Sequence, residues 1–138
     1  MPKLSKRLEI LASLVPFGAR VCDIGTDHGY LSIELKKHGA VEKMIATDIN
    51  EKPLERAKKN IEKAQVRGIE LRLCDGLSGI LPQEVDTVII AGMGGEVISG
   101  ILENGKEVAR CSEISFILQP TTSPDYLRRY LFENGYTI

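Results

Sequence analysis

The feature that most constrains the fold of this chain is a regular alternation of short apolar runs with amphipathic stretches. The runs of strand length are separated by segments whose apolar residues recur every three or four positions, as in an α-helix. The predicted strands cover residues 20–24, 43–47, 69–73, 85–91 and 114–118. Strands that alternate with helices through short loops favour a parallel sheet. We therefore expect an α/β fold, a doubly wound Rossmann-like parallel sheet with helices on both faces.

Caps and periodicity predict the helices. They cover about residues 3–15, 31–37, 53–67, 97–102 and 124–134. Pro16 follows the first helix, and Ser123-Pro124 has the pattern of a helix start. After Gly135 the last three residues resemble the opening of another strand. We therefore expect the sheet to be truncated at the start of strand six.

Size and composition exclude several classes of protein. A chain of 138 residues with 43% hydrophobic residues forms one domain, which we expect to span 1–138. No apolar run approaches about 18 residues, so no membrane-spanning helix or signal peptide is expected. The net charge of −1 gives no strongly basic footprint for nucleic acid. Three widely spaced cysteines favour a reduced, cytoplasmic protein and make a zinc site unexpected.

Polar residues and glycines follow the predicted strands at the edge where such sheets bind ligands. The candidate binding residues are Asp23, Gly25, Asp27, His28 and Gly29 after the first strand, Asp48 and Ile49 after the second, Asp75 and Gly76 after the third, and Ala91, Gly92 and Met93 after the fourth. Gln119 follows the fifth strand, where its side chain contacts either the substrate or the backbone. Clusters at successive strand ends together predict one pocket.

The first cluster has the pattern D-x-G-x-x-x-G and lacks the dinucleotide pattern G-x-G-x-x-G. Asp23 and Asp27 would repel a pyrophosphate but suit a ligand with a cationic end. Gly25 and Gly29 allow the backbone to pass close to such a ligand. The alternative is a plain strand-to-helix turn with a capping aspartate.

Asp48 lies 23 residues after Gly25, close to the offset of an acid that accepts hydrogen bonds from ribose hydroxyls. Asp75 is placed to accept from the exocyclic amine of an adenine. The alternatives are a helix cap for Asp48 and an ordinary Asp-Gly turn for Asp75. A nucleoside with a cationic amino-acid tail satisfies all of these groups, and S-adenosylmethionine is such a ligand. It requires no metal, so alignment of the reactants supplies most of the rate.

Five motifs in order resemble the bacterial tRNA (adenine-22 N1)-methyltransferase family, a class I S-adenosylmethionine-dependent group. They are D-I-G-T-D-H-G-Y-L (23–31), A-T-D-I-N-E-K-P-L (46–54), R-L-C-D-G-L (72–77), A-G-M-G-G (91–95) and L-Q-P (118–120). The resemblance runs from about Leu4 to Ile138. Ser32 departs from the pattern, because proline is expected there.

The resemblance implies an enzyme that transfers a methyl group to N1 of an adenine in tRNA. It also implies that residues 1–138 form the S-adenosylmethionine-binding methyltransferase core. Members of the family continue into a helical C-terminal region that helps to hold tRNA, and we expect this region to be absent. The expected partners are therefore the cofactor and tRNA.

The residues after the fourth strand are compatible with this chemistry. Enzymes that methylate an exocyclic amine often carry Asp/Asn-Pro-Pro-aromatic there, whereas residues 91–94 are Ala-Gly-Met-Gly. A ring nitrogen has an in-plane lone pair and needs orientation more than deprotonation. As catalytic candidates, Tyr30 would stack on the base, and Asp27 would orient it or accept a proton. Simple core packing remains the alternative for Tyr30, and a role in holding the turn remains the alternative for His28.

Other functions stay open from the residues alone. A methyltransferase that acts on a small molecule or a protein is the nearest alternative. Another is a non-catalytic cofactor-binding module that forms a homo-oligomer through the incomplete sheet edge. The missing G-x-G-x-x-G counts against a nicotinamide dehydrogenase. Basic residues on the first and last helices are either phosphate contacts or solvated faces; they are Lys3, Lys6, Arg7, Arg128 and Arg129.

Overall fold

The structure, a computed structural model, describes residues 4–138 and is built on one parallel sheet. Its strands are β1 (Ala19–Ile24), β2 (Val41–Asp48), β3 (Ile69–Leu73), β4 (Thr87–Met93) and β5 (Ser115–Pro120). They lie in the order β3-β2-β1-β4-β5, and every neighbouring pair is parallel. The doubly wound Rossmann-like fold predicted from the alternation is therefore confirmed.

Helices cover both faces of this sheet. They are α1 (Lys6–Ser13), α2 (Tyr30–Lys37), α3 (Glu51–Ala64), α4 (Gly95–Asn104), α5 (Lys106–Ala109) and α6 (Pro124–Glu133). On one face α2 packs against α1 and α3, and on the other α4 packs against α5 and α6. Each face has its own apolar cluster, because alternate side chains of a strand point to opposite sides. In β1, for example, Val21 belongs to one cluster and Cys22 to the other.

The strand order places β1 and β4 side by side at the centre of the sheet. The chain runs outward from β1 through β2 to β3, and then returns across the sheet to β4 and β5. The connection after β1 and the connection after β4 leave the sheet in opposite directions. This divergence opens a crevice at the carboxyl ends of β1 and β4. The loop after β1 and the glycine-rich turn after β4 both lie at this crevice.

The largest departure from the predicted elements is at the last three residues, which form no strand. The backbone N–H of Tyr136 donates to the carbonyl of Leu131 over 3.0 Å, and its ring packs against Tyr130 at 6.4 Å between centroids. These contacts place Tyr136 against α6, and residues 136–138 pair with no strand among residues 4–138. Lys3, which begins the predicted first helix, lies outside the described residues.

Smaller departures concern element ends. The short helix α5 was missed because its one turn is too brief to show a helical period. Helix α3 stops at Ala64 because Gln65 adopts a left-handed conformation with φ of 55°. Strand β3, whose alternating pattern predicted a wetter face near an edge, is an edge strand. Within residues 4–138, no helix has the length and apolar character needed to cross a bilayer.

Candidate functional site

The loop that follows β1 has an unusual backbone. Gly25, Asp27 and Gly29 have φ values of 72°, 54° and 77°, so three residues out of five are left-handed. Asp27 is the informative residue, because residues other than glycine rarely adopt a left-handed backbone conformation. A Cβ on Gly29 would approach the Cβ of Ala57 in α3 to 3.0 Å. Glycine at position 29 therefore lets α2 and α3 pack closely.

Asp23 is a buried carboxylate at the end of β1, with 5% of its surface exposed. Burial disfavours its charged form and raises the pKa of Asp23 to about 7. The hydroxyls of Thr26 and Ser32 and the charge of Arg7 lower this pKa, whereas the neighbouring Asp48 raises it. The site thus contains an acid whose charge a cationic ligand would stabilise.

Asp48 ends β2 directly beside this loop. One carboxylate oxygen accepts the backbone N–H of Asp27 over 3.3 Å, and the other accepts that of Asn50 over 3.1 Å. Only 8% of the residue is exposed. The carboxylate therefore ties the end of β2 to the loop after β1.

Helix α3 holds the same loop from outside. Nη2 of Arg56 donates to the Asp27 carboxylate over 3.2 Å, and the side-chain amide of Asn60 donates to the carbonyl of His28 over 2.9 Å. Nε2 of His28 lies 3.7 Å from the same carboxylate. Arg56 and Asn60 are four residues apart and so share one face of α3. This face fixes Asp27 and His28 in place.

His28 and Tyr30 form an aromatic stack next to Asp27. Their ring centroids are 5.3 Å apart and the ring planes differ by 12°. His28 is exposed, whereas Tyr30 is partly buried. The pair presents a flat surface beside a carboxylate.

A hollow opens between α1 and the β1–α2 loop. Its walls are Arg7, Leu8, Leu11, Asp23, Gly25, Thr26, Asp27, His28, Tyr30, Leu31 and Ala91. Acidic, aromatic and basic groups of the candidate site thus face one space. A second, shallower groove is lined by Ile49, Asn50, Glu51, Lys52, Pro53, Arg56 and Leu73. The Asp27–Arg56 ion pair joins a wall of the hollow to a wall of the groove.

The end of β4 contains a bulge, where the register with β5 shifts between Ala91 and Met93. Gly92 lies in this bulge with φ of 78°. Oε1 of Gln119 accepts the backbone N–H of Gly92 over 3.2 Å and Nη1 of Arg7 over 3.3 Å. Of the two roles predicted for Gln119, contact with the backbone is the one that the structure shows. Met93 reaches back to Gly25, where a Cβ would collide with its terminal methyl group.

Asp75 and Gly76 follow β3 and do not line the hollow or the groove. Asp75 is exposed, and a Cβ on Gly76 would lie 3.3 Å from Ile101 of α4. The loop that carries them is held by Arg72, whose Nη1 donates to the carbonyl of Gly79 over 2.8 Å. Arg72 also makes two hydrogen bonds to Glu84, of 2.8 and 2.7 Å.

The structure therefore brings together most of the predicted site. Asp23, Gly25, Asp27, His28, Tyr30 and Ala91 share the hollow, and Asp48 is hydrogen-bonded to its rim. Ile49 lines the neighbouring groove, whereas Gly29, Asp75, Gly76, Gly92 and Met93 lie outside both spaces. Their assignment to a ligand remains a prediction. Among residues 4–138, no group of three or more His, Cys, Asp or Glu side chains is placed to hold a metal ion.

Sequence reasoning missed three residues that build the site. The sequence predicts Arg7 only as a phosphate contact or part of a solvated face, and it assigns no role to Arg56 or Asn60. The only signal for the last two is their i, i+4 spacing on α3, on either side of the buried Ala57. For Arg7, the only signal in the sequence is its position beside the apolar face of α1.

Comparison with protein families gives one model that covers nearly the whole chain. Residues 4–138 match a family described as "Methyltransferase domain". The sequence is 39% identical, over 137 residues, to the tRNA (adenine(22)-N(1))-methyltransferase of Bacillus subtilis. This match covers 99% of the chain and 57% of that relative.

Two solved structures are similar in fold and sequence. The B. subtilis m1A22 tRNA methyltransferase TrmK superimposes with a TM-score of 0.91 at 38% identity, covering 99% of this chain and 58% of that one. TrmK of M. capricolum, solved with the cofactor product S-adenosyl-homocysteine, gives 0.83 at 37% identity, covering 98% and 60%. The chain thus spans less than two thirds of the length of these relatives.

Proposed function

The chain belongs to the methyltransferase-domain family, and from this membership and its site we propose that it transfers a methyl group from S-adenosylmethionine to N1 of an adenine in tRNA. The observation that carries the proposal is the placement of Asp48. Its carboxylate lies at the end of β2, 3.3 Å from the loop after β1, in a sheet of order β3-β2-β1-β4-β5. This is where such sheets hold the ribose of a nucleoside cofactor.

The residues present fit that cofactor. Each oxygen of Asp48 accepts one backbone N–H, and a carboxylate oxygen has two lone pairs, so acceptor capacity remains for two ribose hydroxyls. Asp23 and Asp27 suit the cationic end, and exposed Ile49 offers an apolar wall for the base. Asp75 and Gly76 would meet the adenine amine, with Gly25, His28, Gly29, Ala91, Gly92 and Met93 completing the proposed binding set. The bound cofactor supplies a methyl group activated by its sulfonium.

The chain's own part in the reaction is orientation. N1 of adenine carries a lone pair and needs no base before it attacks, and residues 91–94 contain no group that would grip an exocyclic amine. The target base must leave its pairing to expose N1. The His28–Tyr30 stack offers a flat surface for the freed base, and Asp27 lies next to it to orient the base or to accept a proton from the cationic product.

The proposed substrate determines the partners. Contacts to tRNA phosphates would come from exposed basic residues of α1 and α6, such as Lys6, Arg128 and Arg129. Action on tRNA implies a cytoplasmic protein.

We also propose that the outer edge of β5, which pairs with no other strand among residues 4–138, supports self-association.

Methyl transfer to defined tRNA transcripts tests the function. The chain is incubated with S-adenosylmethionine labelled in its methyl group and with two transcripts that carry adenine or guanine at position 22. We expect label only in the adenine transcript, recovered as 1-methyladenosine after nuclease digestion. Label in both transcripts would contradict the site of methylation. Cofactor binding without transfer to tRNA would favour a non-catalytic module or another substrate, and would overturn the proposal.

A further inference from the structure

Helix α3 carries its positive and negative side chains on separate sides. Four exposed basic residues recur at helical spacing and form what we call the basic stripe: Lys52, Arg56, Lys59 and Lys63. We infer that the basic stripe is an interaction surface for the phosphate backbone of tRNA, which it meets beside the site of methyl transfer. The inference rests on the proposed function, and it adds α3 to the phosphate contacts proposed for α1 and α6.

The basic stripe is narrow and straight. With about 3.6 residues per turn, its four side chains lie within an arc of about 60° and span about 16 Å along the helix axis. A strand of stacked nucleotides places one phosphate about every 3.4 Å along its axis, so the stripe is roughly five nucleotides long. A row of positive charges of this length matches a row of phosphates.

The acidic residues of the helix leave this row unneutralised. Glu51, Glu55 and Glu62 occupy a neighbouring arc of about 40°. Glu55 precedes Lys59 by four residues, a spacing that favours an ion pair, but the two side chains do not form one. Within the described residues 4–138, the three lysines of the stripe have no acidic partner at ion-pair distance. Their charges are therefore available to an anionic ligand.

One end of the basic stripe reaches the proposed site of the target base. Lys52 and Arg56 line the groove beside the hollow. Nη2 of Arg56 donates to the carboxylate of Asp27 over 3.2 Å, and Nε2 of His28 lies 3.7 Å from that carboxylate. The stripe thus begins one side chain away from the His28–Tyr30 stack. Phosphates that flank a base held on this stack would meet α3.

The arrangement of charges favours a nucleic acid strand over an anionic membrane. A bilayer is a flat surface, and it would face the acidic arc together with the basic stripe. A helix that binds a bilayer inserts its apolar face, whereas the apolar side of α3 is packed into the protein at Ala57. A strand of phosphates is narrow enough to contact the basic stripe alone.

Binding of tRNA at increasing salt concentration tests this surface. The stripe variant combines Lys52→Gln, Lys59→Gln and Lys63→Gln, and it keeps Arg56 because this residue also holds Asp27. Each lost phosphate contact should reduce the steepness of log affinity against log salt by about 0.7–0.9. For the three lysines we expect a reduction of about 2–3, and an affinity at about 0.1 M salt that falls about 10- to 100-fold.

A matched variant removes three positive charges outside the stripe. It combines Lys58→Gln, which lies beyond the acidic arc of α3, with Lys106→Gln and Arg110→Gln on α5 and at its end. Its net charge equals that of the stripe variant, but its salt dependence should stay close to that of the unmodified chain. Thermal melts show whether each variant is folded. Each single substitution in the stripe, which disturbs the helix least, should reduce the steepness by about 1.

Three results would overturn the inference. Equal salt dependence in the stripe variant and the matched variant would show that only total charge matters. Loss of sedimentation with anionic phosphatidylserine vesicles, together with unchanged tRNA binding, would assign the stripe to a membrane. If the unmodified chain binds no tRNA, the proposed function fails as well, whereas equal salt dependence in a chain that methylates tRNA defeats the basic stripe alone.

Discussion

At the scale of single residues, the chemistry of the site depends on how deeply each carboxylate lies. Asp23 and Asp48 are both almost fully buried, but Asp48 accepts two backbone N–H groups, whereas Asp23 has only hydroxyl partners. Asp27 is exposed and held by Arg56. Under the proposed function, the same side chain in three surroundings would anchor a sugar, attract a cation and contact a substrate.

The buried Asp23 should make the stability of the protein depend on pH. Because its pKa is raised to about 7 in the folded state, its contribution to stability is greatest below the unfolded pKa of 3.8 and is lost as pH rises through about 7. An asparagine at position 23 stays uncharged, so Asp23→Asn removes the cost of burying an ionised carboxylate at high pH. The variant should therefore have a higher free energy of unfolding than the unmodified chain at pH 8. We expect the gain at pH 8 to exceed the gain at pH 5 by about 2–3 kcal/mol.

Urea unfolding at the two pH values measures this difference. Asp125→Asn, which changes an exposed acid on α6, serves as the control and should alter stability equally at both. An Asp23→Asn variant with the same effect at pH 5 and pH 8 would show that this carboxyl titrates alike in the folded and unfolded chain.

Asp48 should be essential for binding the cofactor. Asp48→Ala removes the proposed acceptor for the ribose hydroxyls and leaves the backbone N–H of Asp27 without this partner, so we expect the affinity for S-adenosyl-homocysteine to fall at least 10-fold in calorimetry. Glu62→Ala, on the exposed side of α3, is the control and should bind normally. Unchanged affinity in Asp48→Ala would remove the main support for the proposed function.

At the scale of elements, the site is held by side chains that join neighbouring segments. Arg72 of β3 is the clearest case, because it bonds Glu70, Glu84 and the carbonyl of Gly79. Its hydrogen bonds hold the pKa of Glu84 down at about 2. The residues that it connects enclose the loop of Asp75 and Gly76, so β3 and this loop form one unit.

Removal of this clamp should loosen the loop. Arg72→Met leaves Glu84 without its bidentate partner, and we expect a loss of about 1.5–3 kcal/mol in the free energy of unfolding at pH 7. Glu70→Gln removes only the exposed partner and should change stability by less than about 1 kcal/mol. Chemical unfolding of both variants measures this, and equal losses would mean that the Arg72–Glu84 pair does not carry the stabilisation.

At the scale of the whole molecule, the two edges of the sheet differ. On β3 the charged residues Glu70 and Arg72 alternate with apolar ones, a pattern that discourages pairing with another chain. On β5 the edge residues 116–118 are Phe-Ile-Leu and half-buried. Self-association by strand pairing is therefore expected at β5.

Hydrogen exchange at increasing protein concentration tests this expectation. We expect the amides of β5 to become more protected as concentration rises, together with a larger mass in sedimentation. The β3 edge is the internal control and should not change. A single mass at all concentrations, with constant exchange in β5, would contradict the proposed self-association.

The sequence alone was enough to predict the sheet, the helices on its two faces and the grouping of Asp23, Asp27 and Asp48 at or just after strand ends. These follow from local periodicity and from the rule that parallel strands end at one edge, so they need no knowledge of distant contacts. The packing of distant elements places Arg7 at the hollow, and it places Arg56 and Asn60 where they hold the loop after β1. Those contacts join residues far apart in the chain, and local patterns carry no record of which distant side chains the packing brings together.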